Sequence, residues 1–249
     1  MRAHDLDAIR QLPLFSTMLQ ANFDALMHAA YAQVFPAGLQ LLRQGDAADF
    51  LHVLMEGSIE LHAGWAGRET TMAVVRPVNS FILAACIRDA PYLMSARTIE
   101  RSHVVLIPTS DVRAAFRRDP EFAVAVMDDL AGSYRTVVRL TKGLKLRNSR
   151  ERIAAWLLRQ SAREGNAAGF LLPIEKRLLA SYLGMTAENL SRSLKALEAH
   201  GVKVDGARVT ITDREKLCAL VRYDPLIDGT DPGGGPSCPW TPGSAAGGG

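Results

Sequence analysis

Hydrophobic residues recur every three or four positions between residues 184 and 201. Leu190, Leu194 and Leu197 fall on one face of a predicted helix, which Thr186 caps at its start and Gly201 ends. The preceding stretch, 175–183, predicts a shorter helix, and Gly184 lies in the turn between the two. The pair predicts a helix-turn-helix rather than an ordinary surface helix. The polar face of its second helix carries Glu188, Ser191, Arg192 and Lys195.

Apolar and polar residues then alternate from 202 to 211 around Asp205-Gly206, a strong signal for a β-hairpin. Asp213 is predicted to cap a further short helix that runs through Leu217 and Leu220. A hairpin directly after a recognition helix is a wing. Residues 147–223 are therefore predicted to form a winged helix-turn-helix domain that binds double-stranded DNA.

The N-terminal half has a different pattern. Residues 5–33 predict short helices, with Asp5 and Asn22 as caps. From Phe35 to Pro108 short β-like runs are separated by glycine-containing turns; the clearest runs are 51–55, 58–62, 71–75 and 103–107. Many short strands at close spacing favour a jelly-roll barrel. Residues 1–118 are predicted to form a β-roll sensor domain, which makes the whole chain an α+β protein.

A long helix is predicted over 119–146, because Asp119-Pro120-Glu121 is a typical helix start. Thr141 is the one polar residue of a heptad seam that otherwise consists of Ala123, Met127, Leu130, Tyr134, Val137 and Leu144. The seam favours a parallel dimer; the alternative is burial against its own domain. Residues 224–249, rich in Gly and Pro, are predicted to be a disordered tail.

Charge and composition narrow the function classes. From Arg147 to Arg222, 14 Lys or Arg and 8 Asp or Glu give about +6, whereas the whole chain carries +3. Three widely spaced cysteines, no leader-like apolar segment and no bilayer-length apolar run predict a cytoplasmic protein that does not enter a membrane. The sequence has no glycine-rich phosphate loop, nucleophile elbow or metal-ligand spacing, so we expect no enzyme.

The order of β-roll, long helix and winged helix resembles the CRP/FNR superfamily of bacterial transcription regulators. The resemblance covers residues 10–222 and is most specific at Arg43-Gln-Gly45, at 54–57 and at 183–192. It implies a homodimeric activator whose partners are duplex DNA and RNA polymerase.

The spacing of Glu188, Ser191 and Arg192 is similar to the FNR type, which implies TTGAT half-sites in an inverted repeat. The chemistry agrees, because a carboxylate accepts from cytosine N4, arginine donates to guanine O6 and N7, and serine bonds either kind of edge. The predicted contacts to the DNA backbone are Thr186, Arg177, Lys195, Lys203 and Arg208.

The sequence also bears on the effector. Where the family's cyclic-AMP cassette has Gly, Glu and Arg, this chain has Leu83, Ala84 and Met94, which excludes cyclic AMP because a buried phosphate would lack a cation. The cysteines are too few for an iron–sulfur cluster. An apolar effector pocket is predicted instead, lined by Phe81, Leu83, Met94, Met127, Leu130 and Tyr134.

Two hypotheses remain open for that pocket. The first is a haem sensor of nitric oxide or oxygen limitation, similar to the DNR and NnrR regulators, with an axial ligand among His28, His52, His62, His103 and Cys86. The second is a cofactor-free regulator controlled by its abundance or by oxidation of Cys86. An alternative of another class is a cyclic-nucleotide-type module that acts through protein partners only.

Overall fold

The computed structural model describes residues 2–229, which form two compact units, one ending at Tyr134 and the other starting at Arg135. The first unit contains helices α1 to α5, the first half of α6, and strands β1 to β8. Their bounds are α1 Ala3–Arg10, α2 Pro13–Ser16, α3 Gln20–His28, β1 Tyr31–Phe35, β2 Gln40–Leu42, β3 Phe50–Glu56, β4 Ile59–Trp65, β5 Arg68–Val75, β6 Asn79–Phe81, α4 Leu83–Arg88, β7 Ser95–Thr98, β8 Ser102–Pro108, α5 Thr109–Arg118 and α6 Pro120–Leu146.

The eight strands form two four-stranded antiparallel sheets, in the orders β1-β8-β3-β6 and β2-β7-β4-β5. Neighbouring strands are rarely consecutive in sequence, as expected for a roll rather than a simple meander. The predicted runs 51–55, 71–75 and 103–107 lie within β3, β5 and β8, and the run 58–62 begins one residue before β4. The predicted fold class is confirmed.

The turn between β3 and β4 requires glycine. Gly57 has a φ of +91°, and a Cβ at this position would lie 2.6 Å from the carbonyl oxygen of Arg101. A side chain would therefore force the backbone of the strand opposite to move. This turn contains part of the 54–57 motif of the sequence analysis.

The first unit has two clusters of buried apolar residues. One joins helices α1 to α6 to the strands and includes Phe15, Leu51, Ile107 and Phe122. The other lies among the strands and includes Leu54, Ile59 and Phe81. Tight side-chain packing in two separate clusters fixes the roll.

The N-terminal segment differs from the prediction in its caps. Asp5 lies in the first turn of α1, where its carboxylate accepts from the backbone N–H of Arg2 at 2.8 Å. Asn22 lies inside α3 and donates from its side chain to Asp119 at 2.9 Å. Neither residue is the N-cap, because Arg2 and Leu19 hold those positions and the long-range contact to Asp119 competes for the Asn22 amide.

Asp119 joins α3 to the start of α6. One carboxylate oxygen accepts from the backbone of Leu19 and the side chain of Asn22, each at 2.9 Å, and the other accepts from the backbone of Phe122 at 3.1 Å. Burial by itself would raise the pKa of Asp119, but the hydrogen bonds from Asn22, Phe122 and Leu19 outweigh it and lower the pKa.

We expect Asp119→Asn to destabilise the first unit by about 2 kcal/mol at neutral pH, because hydrogen bonds to a charged acceptor contribute roughly 1.5–3 kcal/mol. A carboxyl whose pKa is lowered in the folded state stabilises it at neutral pH, and this contribution is lost as the pH falls through the folded-state pKa. Urea unfolding of both proteins between pH 7 and pH 3 measures this. A difference between them that does not shrink toward acid would contradict the assignment.

The second unit contains the rest of α6 and the following elements: α7 Ser149–Arg163, β9 Gly169–Leu171, α8 Lys176–Tyr182, α9 Ala187–Ala196, a 3-10 turn Leu197–His200, β10 Val202–Asp205, β11 Arg208–Ile211, α10 Arg214–Val221 and α11 Pro225–Asp228. Its core includes Leu157, Leu179, Leu190 and Leu217. The strands form one antiparallel sheet in the order β10-β11-β9. Within residues 2–229 no helix is both long and apolar enough to cross a membrane.

The predicted disordered tail begins too early. Residues 225–228 form α11, and the Asp228 side chain is buried in an ion pair with Arg147. The Gly- and Pro-rich composition predicts a tail. Composition cannot reveal that the Asp228 carboxylate pairs with Arg147, which lies 81 residues away in the sequence. Residues 230–249, the remainder of that prediction, lie outside the described residues.

Candidate nucleic-acid interface

The helix-turn-helix is formed by α8 and α9, and its second helix separates apolar from polar side chains. Leu190 and Leu194 are buried in the core of the second unit. Thr186 caps α9, its hydroxyl accepting from the backbone N–H of Asn189 at 3.2 Å. The predicted base-reading residues are all exposed: Glu188, Ser191 and Arg192. They are the second, fifth and sixth of the ten residues of α9, and the N-terminal part of such a helix is the part that meets base edges.

Glu188 and Arg192 lie one turn apart on α9. The pKa of Glu188 is lowered, first by its own backbone N–H, then by the Thr186 hydroxyl and the charge of Arg192. Glu188 is therefore a carboxylate at neutral pH and can only accept hydrogen bonds. This matches the cytosine amino group as a partner, while Arg192 presents donors for guanine.

The residues predicted to contact the DNA backbone are also exposed. They lie on three elements, α8, α9 with its cap, and the wing: Arg177, Thr186, Lys195, Lys203 and Arg208. The wing is the β10–β11 hairpin, in which Asp205 pairs with Arg208. Its turn contains Gly206, with a φ of +57°, as the Asp-Gly signal indicates. The structure thus brings the predicted DNA-contacting residues into one winged helix.

Sequence reasoning missed the residues that hold this motif in place. The Asn189 side chain donates to the Ser149 hydroxyl at 3.2 Å and accepts from Ser193 at 3.3 Å, which ties α9 to the start of α7. Arg152 donates to the carbonyl oxygen of Leu183 at 3.0 Å, in the turn between α8 and α9. No local sequence signal marks these contacts, because their partners lie 31 and 40 residues away.

Comparison with known families agrees with both units. Residues 151–220 match the Crp-like helix-turn-helix domain, and residues 32–119 match the cyclic nucleotide-binding domain. The chain belongs to the CRP/FNR superfamily. It is therefore a DNA-binding transcription regulator and not an enzyme.

Curated relatives of this superfamily match over most of the chain. The cyclic AMP receptor protein of Thermus thermophilus is 28% identical over 193 residues, which cover 76% of this chain and 87% of the relative. The transcriptional activator protein FnrA of Stutzerimonas stutzeri is 25% identical over 188 residues, which cover 74% of this chain and 77% of the relative. The structure of FixK2 from Bradyrhizobium japonicum superimposes with a TM-score of 0.68 at 23% identity, covering 77% of this chain and 96% of that one. That likeness concerns the fold alone.

The residues predicted to line the effector pocket are divided between two buried clusters and the exposed side of α6. Phe81 belongs to the core among the strands and Met94 packs against it, whereas Leu83 is buried in the other core and Leu130 packs beside that core. The reason is local: Ile82, between β6 and α4, has a left-handed φ of +70° that turns the chain. The remaining two predicted lining residues are exposed, Met127 at 58% and Tyr134 at 70%.

The histidines among the candidate haem ligands lie in different surroundings. His28 is exposed on α3, the His62 ring pairs with Glu69, and His103 lies 3.7 Å from Asp5. His52 packs against the Phe81 ring at 5.0 Å, and burial lowers its pKa to about 4. A haem needs a broad apolar slot next to its ligand, but the apolar residues predicted to form that slot are divided between two packed clusters.

Cys86, the fifth ligand candidate, is fully buried in α4 and donates from its thiol to the carbonyl oxygen of Phe50 at 3.3 Å. Burial raises the pKa of this thiol, which keeps it protonated and unreactive. The structure therefore argues against Cys86 as a redox sensor and supports a packing role.

We expect Cys86→Ala to bind DNA with an affinity within about twofold of the wild type, under both oxidising and reducing conditions. In the folded wild type, Cys86 should react with a thiol reagent far more slowly than after unfolding, which mass spectrometry of the alkylated peptide measures. Fast labelling of Cys86 in the native protein, together with a loss of DNA binding that Cys86→Ala abolishes, would contradict this assignment.

Proposed function

We propose that this chain is a homodimeric regulator that binds an inverted repeat of TTGAT-type half-sites and acts on transcription through RNA polymerase. Each recognition helix reads one half-site with Glu188, Ser191 and Arg192. Thr186, Arg177, Lys195, Lys203 and Arg208 contact the DNA backbone. The observation that carries the proposal is the exposed polar face of α9, which presents an anionic acceptor and a cationic donor one turn apart.

The long helix supports the homodimer. α6 is a single helix of 27 residues, and its apolar seam is largely uncovered in one chain. Met127, Tyr134, Val137 and Leu144 are 49–70% exposed, while Ala123 and Leu130 are half-buried. Exposed apolar side chains at heptad spacing are expected to pair with an identical helix. Pairing of the seams also suits a two-fold symmetric DNA site.

For the effector we favour the cofactor-free hypothesis. The support is the placement of the predicted pocket residues in two separate cores, together with the protonated, buried Cys86. A regulator that is controlled by its own abundance in the cell needs no bound cofactor or effector. A module that acts only through protein partners is disfavoured, because residues 151–220 match a helix-turn-helix family.

The test is fluorescence anisotropy of the full chain with duplexes that carry the inverted repeat, one half-site or a scrambled sequence. We expect the inverted repeat to bind at least about a thousandfold more tightly than the scrambled duplex. The logarithm of the affinity should fall steeply with that of the salt concentration, as counterions leave the DNA. Equal affinity for the repeat and the scrambled duplex would overturn the proposal.

A further inference from the structure

Two residues, Arg147 and Asn148, join α6 to α7, and the Arg147 side chain is almost fully buried. Its guanidinium donates to both carboxylate oxygens of Asp228, each at 2.6 Å, and to the carbonyl oxygen of Val221 at 3.3 Å. The exposed fractions of the two charged side chains are 7% and 5%. A bidentate arginine–carboxylate pair fixes direction as well as distance, so the joint after α6 is held by the end of the described chain.

The backbone of the same joint is held by a second arginine. Arg152 donates to the carbonyl oxygen of Arg147 at 2.8 Å, to that of Leu183 at 3.0 Å and to that of Gly184 at 3.4 Å. The last two oxygens belong to the turn that leads into the recognition helix. Leu144, in the last turns of α6, also lies against Gly184. Hence the end of α6, the joint and the helix-turn-helix turn form one connected arrangement.

Asp228 is the charge on which this arrangement depends. Arg159 lies 3.5 Å from the same carboxylate, and burial lowers the pKa of its guanidinium. The backbone N–H of Asp224 donates to Asp228 at 3.1 Å and holds the carboxylate in place. One carboxylate therefore pairs with the buried Arg147 and also lies beside the half-buried Arg159, and removing its charge leaves Arg147 without its bidentate partner.

We propose that Arg147 and Asp228 are positioning residues for DNA binding, and that 224–228 is a strap that locks the joint between α6 and the winged helix. Neither residue lies in the matched helix-turn-helix region, 151–220. The Arg147–Asp228 ion pair sets the direction of α9 relative to the end of α6. In a dimer paired along α6 it fixes the separation of the two recognition helices, so this inference rests on the proposed function.

The experiment compares full-length wild type, Asp228→Asn and Arg147→Lys on inverted repeats whose central spacer varies by single base pairs. A duplex with one half-site measures the contacts of a single domain. Glu215→Gln is the matched control, since Glu215 is an exposed carboxylate on α10 of the same unit. Circular dichroism of each variant establishes that the winged helix is folded.

We expect the wild type and Glu215→Gln to prefer one spacer by at least about tenfold, and Asp228→Asn to reduce that preference to about threefold or less. Arg147→Lys, which keeps the charge but loses the bidentate geometry, should lie between them. Affinity for the single half-site should stay within about twofold of the wild type. A loss of spacer preference with intact half-site binding is not expected from a general loss of stability.

Folded variants that keep the wild-type spacer preference would overturn the positioning role while leaving the proposed function intact. If both variants lose the folded domain, the ion pair maintains the fold, and the positioning role is equally overturned. A wild type that shows no preference for any spacer, or for the repeat over one half-site, would overturn the proposed function and this inference with it.

Discussion

Arg192→Ala is expected to weaken binding to the inverted repeat by on the order of 1–3 kcal/mol per contact and to relax specificity at its base pair. The reason is that the exposed Arg192 guanidinium has two parallel donors that would fit guanine O6 and N7, and no other base offers that pair of acceptors. Anisotropy titrations with each of the four bases at the guanine position measure the change in specificity.

Lys195→Ala is the matched comparison for Arg192→Ala. It lies on the same exposed face of α9 but is assigned to a phosphate, so its loss should weaken all duplexes alike and make binding less sensitive to salt. If Arg192→Ala instead binds the repeat and a scrambled duplex with unchanged affinities, the arginine does not read a base.

Tyr134→Glu is expected to convert the dimer to a monomer and to weaken binding to the inverted repeat by about a hundredfold or more, since the second half-site is then no longer bound intramolecularly. Tyr134 is 70% exposed in a single chain, so the substitution leaves the fold of each chain intact. Across a parallel seam it places two like charges in an apolar contact. Light scattering and anisotropy with one and two half-sites measure both effects.

Thr136→Glu controls for the added charge, because position 136 is exposed on α6 and lies outside the heptad seam. It should remain dimeric. A Tyr134→Glu protein that stays dimeric with unchanged affinity would show that the chains pair through another surface.

Local patterns in the sequence predict the elements of the second unit well. The apolar period of 190, 194 and 197, the Thr186 cap and the Asp205-Gly206 turn each depend on neighbours within a few residues. Their physical causes are therefore visible in the sequence. The same holds for the start of α6 at Pro120 and for the strands of the roll.

Features that depend on distant partners were not predictable in this way. The pocket prediction placed Phe81 and Leu83 together because both lie in the stretch that corresponds to the family's cyclic-AMP cassette, but the left-handed Ile82 sends them into different cores. The tail prediction failed because Asp228 has its partner 81 residues away. Gly and Pro content describes how little core a segment can build, and it gives no information about a single buried ion pair.

The 81-residue separation of Arg147 from Asp228 also determines the order in which the ribosome makes the parts of this regulator. At a synthesis rate of roughly 5–20 residues per second, Asp228 is added about 4–16 s after Arg147. The seam of α6 is complete before the ion pair can form, so nascent chains can associate before their recognition helices are oriented. With the proposed dimer and the proposed positioning role of Asp228, a chain truncated before Asp228 would join a full-length subunit and contribute a recognition helix that is not oriented.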